Sequence, residues 1–298
     1  MDELLKILFE TDDPADVWEL DLSYHLIREE WPTPFEQLSG LESLVNLRSL
    51  SLSGHLLDEI EGLPELPHLQ HLDVSYNNIS EIHRFPLLPE LTTLNLGHNQ
   101  LLNLPPGKQV PRLRTLIISG NRLITDLSVL REFPILHTLY LKQLLISDWK
   151  PLAALGSLAA VYATPAGPKS LKAMEALQQV RSIDLNLGRF GAVVDLPLLA
   201  SLKKLTLQYG LQVQEIQDWV QLESLEVLEM KHLGVRSIRG LGVLENLKEL
   251  RLQNCPDLEI GTLVANRSLK RLYLERVALS QNDRDLLQRA NPGLQIIC

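Results

Sequence analysis

The sequence predicts an α/β solenoid: a parallel concave β-sheet of about 12 strands, mostly 3₁₀ or extended returns behind it, and short helical caps at both ends. Three observations carry this. Leu fills nearly one position in four of the 298 residues, while aromatic residues make up only 5%, so one packing solution is used repeatedly. The pattern Leu-x-x-Leu-x-Leu starts at Leu47, Leu69, Leu91, Leu113, Leu136, Leu158, Val180, Leu202, Leu225, Leu247 and Leu269, in steps of 22 or 23 residues. Finally, Leu-x-Leu alternation is the period of a strand with one buried face, and a unit that short buries its face only against neighbours.

In chain order, residues 1–16 form the N-terminal helical cap, with Leu4, Leu5, Ile7 and Leu8 on one side of a short amphipathic helix. Twelve repeats follow over residues 17–279, beginning with Val17-Trp-Glu-Leu20-Asp-Leu22, which precedes Leu47 by 30 residues. A 22-residue period leaves about half of each repeat to bring the chain back, too little for a full helix in most coils. Twelve strands at about 4.8 Å give a sheet of roughly 50 Å along its arc. The copy at Leu158 departs most: small residues replace Leu, Pro165 and Pro168 follow, and Lys169–Gln179 has helical spacing with Leu171, Met174 and Leu177 inward. Residues 280–298 form the C-terminal cap, in which Ser280 N-caps a helix through Arg289, Asn291-Pro292-Gly293 ends it, and Leu294–Ile297 adds a last strand. The whole chain, 1–298, reads as one domain.

The best-formed copies are Leu69-Gln-His-Leu-Asp-Val-Ser-Tyr-Asn-Asn-Ile79, Leu91-Thr-Thr-Leu-Asn-Leu-Gly-His-Asn-Gln-Leu101 and Leu113-Arg-Thr-Leu-Ile-Ile-Ser-Gly-Asn-Arg-Leu123. They resemble the leucine-rich repeat family, signature LxxLxLxxNxL. The period, and segments such as Ile124-Thr-Asp-Leu-Ser-Val-Leu130, resemble the 22-residue subclass of internalins and phosphatase-regulator-type repeats. The resemblance implies a horseshoe or superhelix that binds other proteins. Asn77, Asn99 and Asn121 are expected to turn inward as a structural ladder, hydrogen-bonding the backbone of neighbouring coils. The equivalent position elsewhere holds His55, Leu144, Ala166, Gly188, Gly210, Leu233, Cys255 and Val277. The amide ladder therefore stops after the fifth copy, and later coils need another arrangement.

Two cysteines, Cys255 and Cys298, form neither a disulfide framework nor a four-ligand zinc site. Acidic residues at positions 2 and 3 speak against a secretory signal, and no window approaches 18 uncharged apolar residues. The protein is expected to be cytoplasmic and monomeric. Residues 1–90 carry 19 Asp/Glu against 4 Lys/Arg, net −15, whereas residues 91–298 carry 18 against 24, net +6. Such a gradient either steers a partner or merely solubilises one end.

No constellation for catalysis emerges. His68 and His71 have no third ligand, Gly240-Leu-Gly242 lacks the rest of a dinucleotide loop, and there is no G-x-S-x-G elbow. No catalytic residue, metal site or cofactor is expected, and the chain is read as a non-enzyme.

Binding is expected on the concave face, where the x positions point outward. All six tyrosines fall there or at its edge: Tyr24, Tyr76 and Tyr209 at the eighth repeat position, Tyr140, Tyr162 and Tyr273 at the fifth. Tyr offers stiff area with a polar tip, the chemistry of interfaces, although half-exposed strands also tolerate it. The candidate partner-binding residues are His137, Tyr140, Lys142 and Gln143 with Tyr162 and Thr164; Lys204, Tyr209, Glu229, Lys231 and His232; and Arg251 with Tyr273. The leading function is a protein–protein interaction module for a folded protein. One alternative is an inhibitor or immunity-type protein occluding an enzyme or toxin. Another is nucleic-acid binding through the basic C-terminal part, against which Glu226, Glu229, Glu249 and Glu275 interleave with the Lys and Arg.

Overall fold

Alternation decides the local structure. In a computed structural model that describes residues 13–24, 41–144 and 146–298, each of the twelve expected copies supplies one strand. Packing divides the chain into two compact units, the first Met1–Leu144 with Ala154–Leu158, the second Leu145–Ala153 with Ala159–Cys298. The expected N-terminal helix over residues 1–10 lies outside the described residues.

In the first unit the strands are β1 (Glu19–Asp21), β2 (Ser49–Ser51), β3 (His71–Asp73), β4 (Thr93–Asn95), β5 (Thr115–Ile117) and β6 (Thr138–Leu141). Each pairs in parallel with the next, so that Leu20, Leu50, Leu72, Leu94, Leu116 and Leu139 share one register. These Leu are buried, as are the Leu, Val or Ile two positions on and three positions before each of them. A fully buried Leu contributes about 1.5–3 kcal/mol, and the column repeats at every coil.

The second unit contains β7 (Ala160–Ala163), β8 (Ser182–Asn186), β9 (Val193–Asp195), β10 (Lys204–Gly210), β11 (Glu215–Gln217), β12 (Val227–Leu233), β13 (Glu249–Gln253), β14 (Arg271–Glu275) and β15 (Gln295–Ile297). Its main sheet runs β7-β8-β10-β12-β13-β14-β15, all parallel. Strands β9 and β11 form a separate parallel pair on the return side, an element that the short runs around Val193 and Ile216 do not announce. The sheets do not close on themselves.

Returns are mainly 3₁₀ turns, among them Gly107–Gln109, Ser128–Glu132, Trp219–Leu222, Arg239–Val243 and Ile260–Ala265. The irregular copy returns through a true helix, α1 (Pro168–Ala173), but it tightens to 3₁₀ at Met174–Ala176 rather than running to Gln179. The physical reason is length: the chain must reach Val180 to start the next coil. Leu171, Met174 and Leu177 are all buried. At the C-terminus, Ser280 Oγ accepts the Asp283 amide at 3.0 Å and starts α2 (Gln281–Ala290), after which β15 closes the sheet edge. No helix among the described residues is long and apolar enough to cross a membrane.

Asn77, Asn99 and Asn121 are buried and make the same bonds one coil apart. Asn99 Nδ2 donates to Val74 O of the preceding coil at 3.0 Å and to Leu96 O of its own at 3.1 Å, while its Oδ1 accepts from Ile79 N at 3.1 Å. Asn77 donates to Leu52 O and Val74 O, and Asn121 to Leu96 O and Ile118 O. Val74 O and Leu96 O each take two amides, so the ladder is continuous. At the same position His55 Nε2 lies 2.6 Å from Leu22 O, and the Cys255 thiol reaches Met230 O at 3.7 Å. Among the described residues no buried side-chain nitrogen or oxygen lacks a partner.

Candidate functional site

The outward face is shaped by how each strand ends. In three coils the fifth-position side chain caps the amide two residues on, Asp21 to Ser23, Asp73 to Ser75 and Asn95 to Gly97, and in the copy at Val180 the seventh-position Asn186 does the same to Gly188, all at 2.8–3.0 Å. In most coils the eighth position turns left-handed, Tyr24 and Leu187 being exceptions. Gly54, Tyr76, His98, Gly120 and Gln143 in the first unit, and Tyr209, His232, Asn254 and Arg276 in the second, all have φ between 49° and 83°. Residues other than Gly pay roughly 1–2 kcal/mol for that backbone. Pro165 cannot adopt it, because its ring fixes φ near −65°, and this is the copy that departs most from the pattern. The signal was present in the sequence as Gly, Asn and His recurring at the eighth position, the residue types that tolerate left-handed backbone.

Because consecutive coils turn alike, their eighth-position side chains stack. In the first unit the rings of Tyr76 and His98 lie 4.3 Å apart and 7° from parallel. Gly120 continues the row, and a side-chain carbon there would come within 2.7 Å of the His98 imidazole. Tyr24 meets His55 edge-on at 5.7 Å. His137 and Gln143 are exposed, Tyr140 and Lys142 half-buried. Beside them Asp73 Oδ2 accepts from Asn95 Nδ2 at 2.8 Å. Burial holds the His55 imidazole below its ordinary pKa, partly offset by its bond to Leu22 O.

In the second unit Tyr209 and His232 stack at 5.4 Å and 3°, and Asn254 Nδ2 lies 2.8 Å from His232 Nδ1. The charges of this face are largely spent on one another. Lys231 Nζ lies 3.0 Å from Glu229, which also accepts from Thr206 Oγ1 at 3.3 Å. Glu249, buried, is held by Arg251 at 2.6 Å and Arg271 at 2.9 Å. The Arg251 guanidinium also sits 4.7 Å from the ring centre of Tyr273, and its carboxylate partner raises its pKa further. Lys204 is exposed and Tyr162 half-buried. Thr164, expected on the binding face, is buried at 8% exposure.

Two Tyr stand out: Tyr76 is 59% and Tyr209 54% exposed. Each is large, stiff, and fixed by a stacked neighbour, which is the pre-organised contact area that interfaces use. Sequence placement alone put more weight on Tyr140 and Tyr162, both half-buried. Among the described residues no group of three His, Cys, Asp or Glu could hold a metal ion. Burial raises the pKa of the Cys255 thiol, the opposite of what a nucleophile needs.

A leucine rich repeat profile matches residues 45–101, and a profile of two leucine rich repeats matches residues 89–132. Among solved structures, an internalin (inlF) from Listeria monocytogenes is similar over 99% of this chain and 93% of its own, with a TM-score of 0.60 and 18% identity. A leucine-rich-repeat protein of Leptospira interrogans is similar over 96% and 97%, with a TM-score of 0.52 and 19% identity. A third, the APL1 leucine-rich repeat domain, covers 94% of this chain and 82% of its own at a TM-score of 0.53 and 17% identity. No curated protein matches the sequence.

Proposed function

The chain is a leucine-rich-repeat protein whose fold resembles that of internalins, and from that premise we propose that it is a non-enzymatic interaction module binding a folded protein on its outward sheet face. The observation that carries the proposal is the pair of exposed, stacked aromatic edges, Tyr76–His98 and Tyr209–His232. A Tyr in left-handed backbone is an unfavourable choice where Gly would serve, which points to a use beyond the turn itself. The sheet-face charges, being mutually paired in the second unit, serve orientation more than affinity.

Affinity capture from native cell extract tests it, comparing wild type with Tyr76→Ala, Tyr209→Ala and Tyr140→Ala and reading the retained proteins by mass spectrometry. A partner retained by wild type and depleted at least about tenfold by Tyr76→Ala or Tyr209→Ala is the expected result. Identical profiles for all variants, with the partner retained, would sink the aromatic edges as the binding element. The charge gradient favours a second reading, occlusion of a basic enzyme or toxin by the acidic first 90 residues. It predicts that the captured partner is itself basic, and that its activity falls on stoichiometric addition of the chain.

A further inference from the structure

A cleft of about 710 Å³ on the return side between Gln214 and Val243 mixes acids and bases, but a second cleft does not. It has a volume of about 670 Å³ and lies where the N-terminal ends of β13 and β14 meet the C-terminal cap. Lys248, Arg267, Lys270 and Arg271 line it together with Asn291 and Gln295, and no carboxylate does. We propose that this cleft is a binding site for a compact oxyanion ligand, a small molecule carrying two or more phosphate groups.

Charge accounting supports this. Glu226 is shared by Lys203 at 3.1 Å and Lys248 at 2.8 Å, and their bonds hold its pKa below the ordinary carboxylate value. Glu249 is shared by Arg251 and Arg271. Two carboxylates thus serve four cations, while Arg267 and Lys270 form no ion pair among the described residues. Like charges gathered at one site repel, and a bound anion relieves that repulsion.

The backbone beneath is fixed. Buried Asn266 donates to Leu241 O at 2.7 Å and accepts from Leu269 N at 3.0 Å. On the other side of Arg267, Ser268 Oγ bonds Leu244 O at 2.9 Å and Leu247 O at 3.0 Å. Lys270 N donates to Lys248 O at 2.8 Å, and Gln295 N to Lys270 O at 2.9 Å. The two unneutralised cations therefore project from a loop and a strand edge that need no ordering on binding. Two guanidinium groups supply the forked donors suited to phosphate oxygens. A nucleic-acid strand fits less well, because beyond the cleft Glu226, Glu229, Glu249 and Glu275 alternate with the bases and interrupt any phosphate track.

Isothermal titration calorimetry of the full chain with inorganic tripolyphosphate at low salt tests the site, with circular dichroism checking the fold of each variant. The expected result is saturable one-to-one binding that weakens with added salt. Arg267→Gln/Lys270→Gln is expected to weaken it at least about tenfold, both side chains being exposed. Glu226→Gln should tighten it about threefold by freeing Lys248, a gain that general damage cannot produce. Lys108→Gln, outside the cleft, should leave it within about twofold. Absence of saturable binding, or binding indifferent to the double substitution, would overturn the proposal. So would a single-stranded oligonucleotide whose affinity exceeds that of tripolyphosphate and grows with length, or a phosphoserine peptide that outcompetes it.

Discussion

Coils of the first unit and coils of the second face one problem, a chain turning off a parallel strand with backbone groups left over, and they meet it differently. The first unit uses strands of three or four residues and spans four of its turns with a side chain: His55, Asn77, Asn99, Asn121. The second has Gly188, Gly210 and Leu233 at those positions, and extends its strands instead. β10 and β12 run seven residues each and stay paired to Gly210↔Leu233. Where pairing ends, Gln212 Nε2 donates to Leu187 O and Phe190 O at 2.9 Å. A longer backbone ladder thus removes the groups that the Asn side chain would otherwise have to satisfy. The comparison also separates the charges: acid-rich in the first unit, mutually paired and locally basic in the second.

The largest effect should come from breaking the amide ladder. Asn99→Ala leaves Ile79 N without its acceptor and takes one amide each from Val74 O and Leu96 O, all buried. An unsatisfied buried group costs about 1–3 kcal/mol, so Asn99→Ala is expected to cost about 3 kcal/mol. Cys255→Ala, at the same position in the second unit, removes only weak thiol contacts and a small volume, and should cost about 1 kcal/mol. Urea-denaturation midpoints measure both. Equal losses would mean that the thiol carries as much as the amide, and the contrast between the units would fail.

Acidification should sharpen the comparison next. His55 is neutral in the folded state because burial disfavours the imidazolium, so its folded pKa lies below the ordinary value of about 6.5. The unfolded chain therefore takes up the proton first. Its contribution is fully present above about pH 6.5 and is lost as pH falls toward the depressed folded value. His55→Asn substitutes the amide used by the next three coils and should remove that part of the pH dependence. Urea midpoints between about pH 5 and 8 for wild type and His55→Asn decide it; parallel curves would show that His55 stays bonded when charged.

The solenoid itself was legible because the Leu period is enforced by the core: one displaced Leu would face water, so the sequence carries its register openly. The returns were harder to read. The α1 helix was visible in Leu171, Met174 and Leu177, but its early end at Ala173 depends on how far the chain must travel. The β9–β11 pair was invisible, since Val193 and Ile216 sit in runs too short to signal strands. For the candidate site, position within the repeat placed the tyrosines but not their exposure, which depends on the left-handed turn at the eighth position. Hence Tyr76 and Tyr209 are more exposed than Tyr140 and Tyr162, and Thr164 is buried. The anion cleft could not be read at all, because Arg267 and Lys270 become distinctive only once the glutamates are seen to be committed elsewhere.

The smallest expected effect on stability is the most informative about use. Tyr76→Gly exchanges a residue in left-handed backbone, φ 56°, for the residue best suited to it, a gain of roughly 1 kcal/mol. It also forfeits the stacked contact with His98, a loss of about 0.5–1.5 kcal/mol. The two terms nearly cancel, so the urea midpoint should move by less than about 1 kcal/mol, and Tyr209→Gly should behave alike. If both variants keep wild-type stability and lose the captured partner, the aromatic edges are held for binding and not for folding. Should Tyr76→Gly instead destabilise by about 3 kcal/mol, the stack is part of the scaffold, and the exposed area it presents is a by-product of packing.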